Sequence, residues 1–269
     1  MNPVPRIFSH KPPSFVSGLF RPLLVAAGLL LLWQAVVSLS GIAPYLLPGP
    51  GRVARVFAER HDLIFQHALL TTAEIVTGLI LGTLLGCLSA LSLAYVRALR
   101  PWLLPVLVIS QAVPVFAIAP LLMLWFGYGM GSKIAMATLI IFFPVTAAFY
   151  DGLRRTEPGW LALARVMNAS RWQVLRHVRI PAALPNLGSG LRVAAAVAPI
   201  GAVVGEWVGS SAGLGFLMLH ANARMQVDLM FAALFTLAVI AIALYFAIDK
   251  GIRHALPWLP ETSLNEKDT

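Results

Sequence analysis

Two groups of residues in this 269-residue sequence stand apart from their surroundings. Glu74 lies in the apolar run Leu69–Leu85 and Glu206 in the run Ala194–Val208. A carboxylate at membrane depth is costly and marks a proton relay, a buried ion pair or a polar step in a pathway. Glu206 is only three residues from Gly209, so an interfacial position is open for it, and Glu74 is open to the same alternative if its helix projects outward. Gln111, Ser110 and Thr138 are further polar groups in apolar runs, able to line a pathway or to bond between helices. Pro114 sits beside Gln111, and Pro105, Pro114 and Pro120 together mark a stretch where the helix must kink or loosen. The second group is cationic: Arg154, Arg155, Arg165, Arg171, Arg176 and Arg179 fall in one polar segment between apolar runs. No His, Cys, Asp or Glu cluster has metal-ligand spacing, and no nucleophile is spaced from a base, so neither a catalytic residue nor a metal site is expected. There is no Gly-x-x-x-x-Gly-Lys-Ser/Thr loop to cradle a nucleotide.

The elements that hold these residues follow from composition. The chain is 59% hydrophobic and 12% charged, with a mean hydropathy of +0.81. That is about half the charge of an ordinary soluble domain, too little to cover a globular surface. Several runs of eighteen or more residues carry few or no charges, long enough to cross a hydrocarbon core about 30 Å thick. The fold class expected is an all-α integral membrane protein with about six transmembrane helices: 22–40, 66–93, 102–126, 132–150, 187–208 and 229–248. Residues 1–21 form a leader; its prolines and the lack of a small-residue cleavage site argue against a removed signal peptide. Residues 41–65 form an outer segment with an interfacial amphipathic helix over 52–65, 66–250 form the core with a water-facing loop at 154–186, and 251–269 form a tail. Fifteen of the twenty Lys and Arg fall in segments on one side of this topology; the positive-inside bias puts that side, with both termini, in the cytoplasm. Arg52, Arg55, Arg60, Lys133 and Arg224 are left outside. The net charge of +9 is then accounted for by cytoplasmic anchoring, not nucleic acid. Cys87 is the single cysteine, so no intrachain disulfide forms. Gly78, Gly82 and Gly86 recur every fourth residue, the spacing that lets membrane helices approach closely.

The loop is too patterned to be a connector. Leu161 to Ser170 reads as one short helix ending where Asn168 can take left-handed geometry. A second helix runs from Arg171 to Arg179, with Trp172, Leu175 and Val178 on one face. Pro181 and Pro185 stop and restart the chain before the fifth span. Such a knob suits docking to a cytoplasmic partner, and an interfacial hairpin on anionic lipid is the alternative.

At these residues the sequence resembles the permease subunits of type I ATP-binding-cassette importers. Their loop begins Glu-Ala-Ala, with a Gly four residues on and an Ile-x-Leu-Pro ending. Here the matching positions are Ala162-Leu163-Ala164, Asn168 and Val178-Arg179-Ile180-Pro181, so Ala162 replaces the Glu and Asn168 the Gly. The resemblance covers about residues 20 to 250. It extends to Leu46-Leu47-Pro48, Ala119-Pro120-Leu121, Leu124-Trp125-Phe126-Gly127, Phe142-Phe143-Pro144 and Ser210-Ser211-Ala212-Gly213-Leu214-Gly215, as in the nitrate, sulfonate and taurine branch. Ala198 to Gly209 and Leu219 to Arg224 are most similar to permeases for thiamine-precursor pyrimidines.

This resemblance implies the type I importer permease fold in a bacterial plasma (inner) membrane. It implies a second copy of the permease, separate ATPase subunits, and a periplasmic or lipid-anchored solute-binding protein as partners, besides membrane lipid. ATP would be held by the ATPase and no cofactor by this chain. Ala162, Ala164, Arg165, Asn168, Ala169, Ser170, Trp172, Arg176 and Pro181 would form the coupling loop; Glu74, Gln111, Pro114 and Glu206 are the pathway or gating candidates. An ion-driven carrier relaying protons through Glu74 or Glu206 is the competing reading, although no internal repeat relates the two halves.

Overall fold

The computed structural model describes residues 15–112 and 114–258; the side chains of 15–23 and 110–112, and with them Gln111 and Ser110, lie outside the described residues. All regular elements among the described residues are helical: α1 (Phe15–Ser40), α2 (Pro50–Glu59), α3 (His61–Tyr95), α4 (Arg100–Ala112), α5 (Val115–Phe126), α6 (Met130–Arg154), α7 (Pro158–Val166), α8 (Arg171–Val174), α9 (Ile180–Gly209), α10 (Leu214–Ala223) and α11 (Val227–Ala255). Four stretches are long and apolar enough to cross a membrane: α3, α6, α11, and the 39 residues Arg171–Gly209, which run without a break from α8 through a π turn into α9. α5 and α10 are shorter apolar helices, as is the described part of α1 from Leu24.

α6 is the central helix, packed between α3 and α9. In lipid no hydrophobic force draws helices together, so close packing of small residues must do it. The Gly78, Gly82 and Gly86 row meets this need: a Cβ on Gly82 would stand 2.7 Å from Ile141 Cγ2, and one on Gly86 2.9 Å from Val145 Cγ1. α9 packs on the adjoining face of α6 in the same way, where a Cβ on Gly201 would stand 2.8 Å from Ala137 Cα, the residue that Gly78 of α3 also meets. Ala194, Ala198 and Ala202 are buried beside that seam. α1 rests on the far side of the bundle, its Trp33 ring 5.9 Å from Phe231 and 5.4 Å from Phe235 of α11.

Several elements differ from the sequence reading, each for a local reason. The amphipathic outer helix ends at Glu59 and a new helix starts at His61, so Phe65 belongs to α3. Residues 102–126 form two helices, α4 and α5, parted at Pro114, where the prolyl ring lacks the donor needed to carry the ladder on. Pro181 and Pro185 do not stop the chain. The π turn Leu175–Arg179 shifts the hydrogen-bond ladder out of register, and Pro181 follows directly after it, as at a helix start, where a missing N–H costs little. The segment after Gly209 is not only an outer loop: it folds into α10, on which His220 and Asn222 lie exposed.

Candidate functional site

The two ends of α6 carry the two groups of residues. At its last residues, Arg154 and the following turn lead into the 154–186 loop; at its first turn Lys133 meets the carboxylates. Twenty-five residues at 1.5 Å each put about 37 Å between these ends.

At the loop end, α7 closes in a hydrogen-bonded hook. Asn168 takes φ +52°, its N–H bonds to Arg165 O at 2.9 Å, and Ala169 N bonds to Ala164 O at 2.9 Å. This pair is a Schellman motif, whose left-handed position accepts Gly or Asn. Asn168 therefore does the geometric work of the glycine it replaces. Two residues later Ser170 caps α8: Gln173 N donates to Ser170 Oγ (3.3 Å), and Ser170 N donates to Gln173 Oε1 (2.7 Å), a reciprocal capping box. Trp172 lies on the bundle flank, its ring edge-on to Tyr95 at 6.1 Å. Ala164 is the buried residue of α7. Ala162 is exposed with no acidic group at its position, and Arg165 and Arg176 are exposed. Leu163, Val166 and Met167 are exposed by 61%, 81% and 72% on the outward face of α7. Pro181 is exposed on the first turn of α9.

At the other end Glu74 and Glu206 are both buried and lie against each other. Glu206 does not reach out to solvent: it is 1% exposed and its carboxylate is spent inside the protein. Thr71 Oγ1 donates to Glu206 Oε1 at 2.6 Å, and the amides of Gly215 and Phe216, in the first turn of α10, donate to Oε2. Leu214 N donates to Thr71 Oγ1 at 2.8 Å, and Gly213 N to His67 Nδ1 at 2.8 Å. The accepting Nδ1 places the neutral His67 ring proton on Nε2. α10 is thus latched by its N-terminus, where a carboxylate also meets the positive end of the helix dipole. The glycines of Ser210 to Gly215 explain themselves here: Gly213 holds φ +110°, and a Cβ on Gly213 or Gly215 would press on the Glu206 carboxylate.

Lys133 departs furthest from the position the sequence suggests. It is not an outer-loop cation but 6% exposed, its Nζ 3.1 Å from Glu74 Oε1. One ammonium stands against two carboxylates, and the deficit is met by the α10 amides and Thr71. The sequence reading missed Lys133, Thr71 and His67. The available signal was arithmetic: in a chain this poor in charge, a lone Lys at the mouth of one apolar run and a lone Glu within another are natural partners. Pro114 lies at the α4–α5 break, away from the described contacts of this cluster, and Thr138 Oγ1 is buried with no hydrogen-bond partner. The structure does not join Pro114 to the carboxylates.

Residues 82–256 match the family model described as the binding-protein-dependent transport system inner membrane component. The chain belongs to this family. A probable ABC transporter permease protein of Haemophilus influenzae is 58% identical over 89% of this chain and 98% of its own. The riboflavin transport system permease protein of Chloroflexus aurantiacus is 42% identical over 86% and 87%. The formylaminopyrimidine transport permease protein of Halalkalibacterium halodurans is 37% identical over 88% and 95%. The fold matches a solved structure of the methionine ABC transporter MetNI in an inward-facing conformation, with a TM-score of 0.64 at 20% identity over 73% of this chain and 97% of that one. The protein is a permease subunit of a type I ABC importer and a multi-pass membrane protein. The permease carries its loop helix at one end of α6 and its latched α10 at the other.

Proposed function

We propose that this permease forms half of a solute pathway, is driven by a separate ATPase that grips α7, and receives solute from a binding protein at the α10 end. The observation that carries the reading is the outward face of α7. Leu163, Val166 and Met167 are large, apolar and exposed on a polar loop, a combination that is costly unless a partner covers it. The Schellman hook and the capping box hold that face rigid, as a part transmitting force must be.

In this reading the loop end and both termini face the cytoplasm of a bacterial inner membrane, which the sequence bias of Lys and Arg towards those segments supports. ATP is bound on the partner, and this chain holds no cofactor. α4 and α5, with Pro114 between them, expose apolar faces suited to the second copy or to lipid. Glu206 serves as the anchor of α10, since its oxygens are bonded to Thr71 and to backbone amides; a freely titrating relay would leave them to solvent or solute.

The solute proposed is a thiamine-precursor pyrimidine. Two of the relatives above are named for riboflavin and formylaminopyrimidine, both planar nitrogen heterocycles. Reconstitution with the ATPase and binding protein tests both parts. Uptake of a labelled aminopyrimidine should need ATP and persist with a protonophore present. Uptake of taurine in place of the pyrimidine would replace the solute assignment, and collapse with the protonophore while ATP is maintained would overturn the ATP-driven reading.

A further inference from the structure

Behind α7, on the face turned towards the bundle, six arginines line a recess of about 410 Å³. Arg97 and Arg100 come from the turn before α4 and its first residue, Arg154 from the end of α6, Arg165 from α7, Arg171 from the start of α8, and Arg179 from the π turn. No acidic residue is among the lining, and among the described residues none of the six takes part in an ion pair. Guanidinium groups do not shed their protons, so the recess is permanently cationic. The protein answers little of this charge. Arg100 donates from Nε to Leu93 O at 2.9 Å and from Nη2 to Ala94 O at 3.2 Å, and Arg154 lies 5.6 Å over the Tyr150 ring. Arg179 Nε is buried and makes no hydrogen bond at all.

We infer that this recess is a binding site for a phosphate oxyanion, free or carried on a lipid headgroup, which ties the loop to the bundle. Several forked donors converging from five elements match the tetrahedral, multiply accepting oxygens of phosphate better than a single carboxylate. The helical spacing argues against an acidic segment of the ATPase as the occupant. Leu161 and Arg165 point into the recess, while Leu163, Val166 and Met167 face away from it, so the surface offered to the partner is the other side of α7. An anion seated here bridges α4, α6, α7, α8 and the π turn, and holds the coupling helix at a fixed distance from the core. This goes beyond the transport reading and does not depend on it.

The test uses the full-length chain purified in detergent. Inorganic phosphate, at ionic strength matched with chloride, should raise its melting temperature by about 3 °C when added at about ten times its dissociation constant. The Arg97→Gln/Arg179→Gln variant should lose that shift, and Arg97→Lys/Arg179→Lys, which keeps charge but not the fork, should retain part of it. Native mass spectrometry distinguishes the source. Phosphatidylglycerol retained by the parent protein and lost from the Gln variant assigns the site to a headgroup, with the phosphate shift then emerging only after delipidation. A phosphate shift with no variant-sensitive lipid assigns it to the soluble ion. The inference is overturned if neither phosphate nor anionic lipid responds to the Gln substitutions. It is also overturned if the arginines are protected from phenylglyoxal by added ATPase alone and by neither phosphate nor lipid.

Discussion

Glu206 and Lys133 show how a few polar side chains organise the end of this bundle opposite the loop. Both are almost fully buried, and each has a partner that pre-empts the cost of burial. Glu206→Gln keeps one acceptor oxygen but loses the charge that gathers the α10 amides. Hydrogen bonds to a charged group contribute about 1.5–3 kcal/mol each, so the variant should loosen α10, read as faster amide exchange at Gly215 and Phe216 with α6 unaffected. Lys133→Met leaves Glu74 against Glu206 with no cation, 3.1 Å from where the ammonium stood. Removing one partner of a buried pair costs about 3–5 kcal/mol. Adding Glu74→Gln to Lys133→Met should recover much of that loss in a denaturation series, and equal losses for the single and double variants would dissociate Lys133 from Glu74. Asn168 is a milder case. Asn168→Gly should be neutral, whereas Asn168→Val forces a β-branched residue into left-handed geometry and should cost about 1–2 kcal/mol, seen as greater protease sensitivity of the loop.

At the scale of elements, the α3–α6–α9 seam rests on glycines that admit no side chain. Gly82→Leu should destabilise the bundle by at least the 1–3 kcal/mol typical of overpacking, measured by unfolding in mixed micelles. Gly28→Leu, where a Cβ would meet nothing within 4 Å, is the matched control. Much of this level was legible in the sequence. The four-residue period of Gly78, Gly82 and Gly86 announced a close-packed face, and Asn168 announced the end of α7. What was not legible depends on neighbours that are distant in sequence. Glu206 looked interfacial because Gly209 is near in the chain, yet Thr71 and the α10 amides enclose it in space. Lys133 looked like a loop cation because it begins a helix, yet that helix starts at the depth of Glu74. Pro181 read as a stop because a π turn leaves no compositional mark. α10 was missed because ten mostly apolar residues between one glycine-rich turn and a short polar turn give no period strong enough to separate helix from coil.

Across the whole molecule, the permease is a close-packed α3–α6–α9 core with a latched short helix at one end and, at the other, a loop helix whose exposed apolar face is the proposed docking surface. The proposed coupling requires that α7 carry the drive from a partner ATPase. The most direct measurement is purification of the tagged permease from native membranes in mild detergent, comparing the parent with Val166→Asp/Met167→Asp, both of which alter only exposed positions. An ATPase subunit should copurify in near-stoichiometric amount with the parent and be lost from the variant at equal permease yield and equal melting temperature. An ATPase retained in full by the variant would contradict the claim, as would a parent permease that comes out alone and still accumulates solute on an ion gradient.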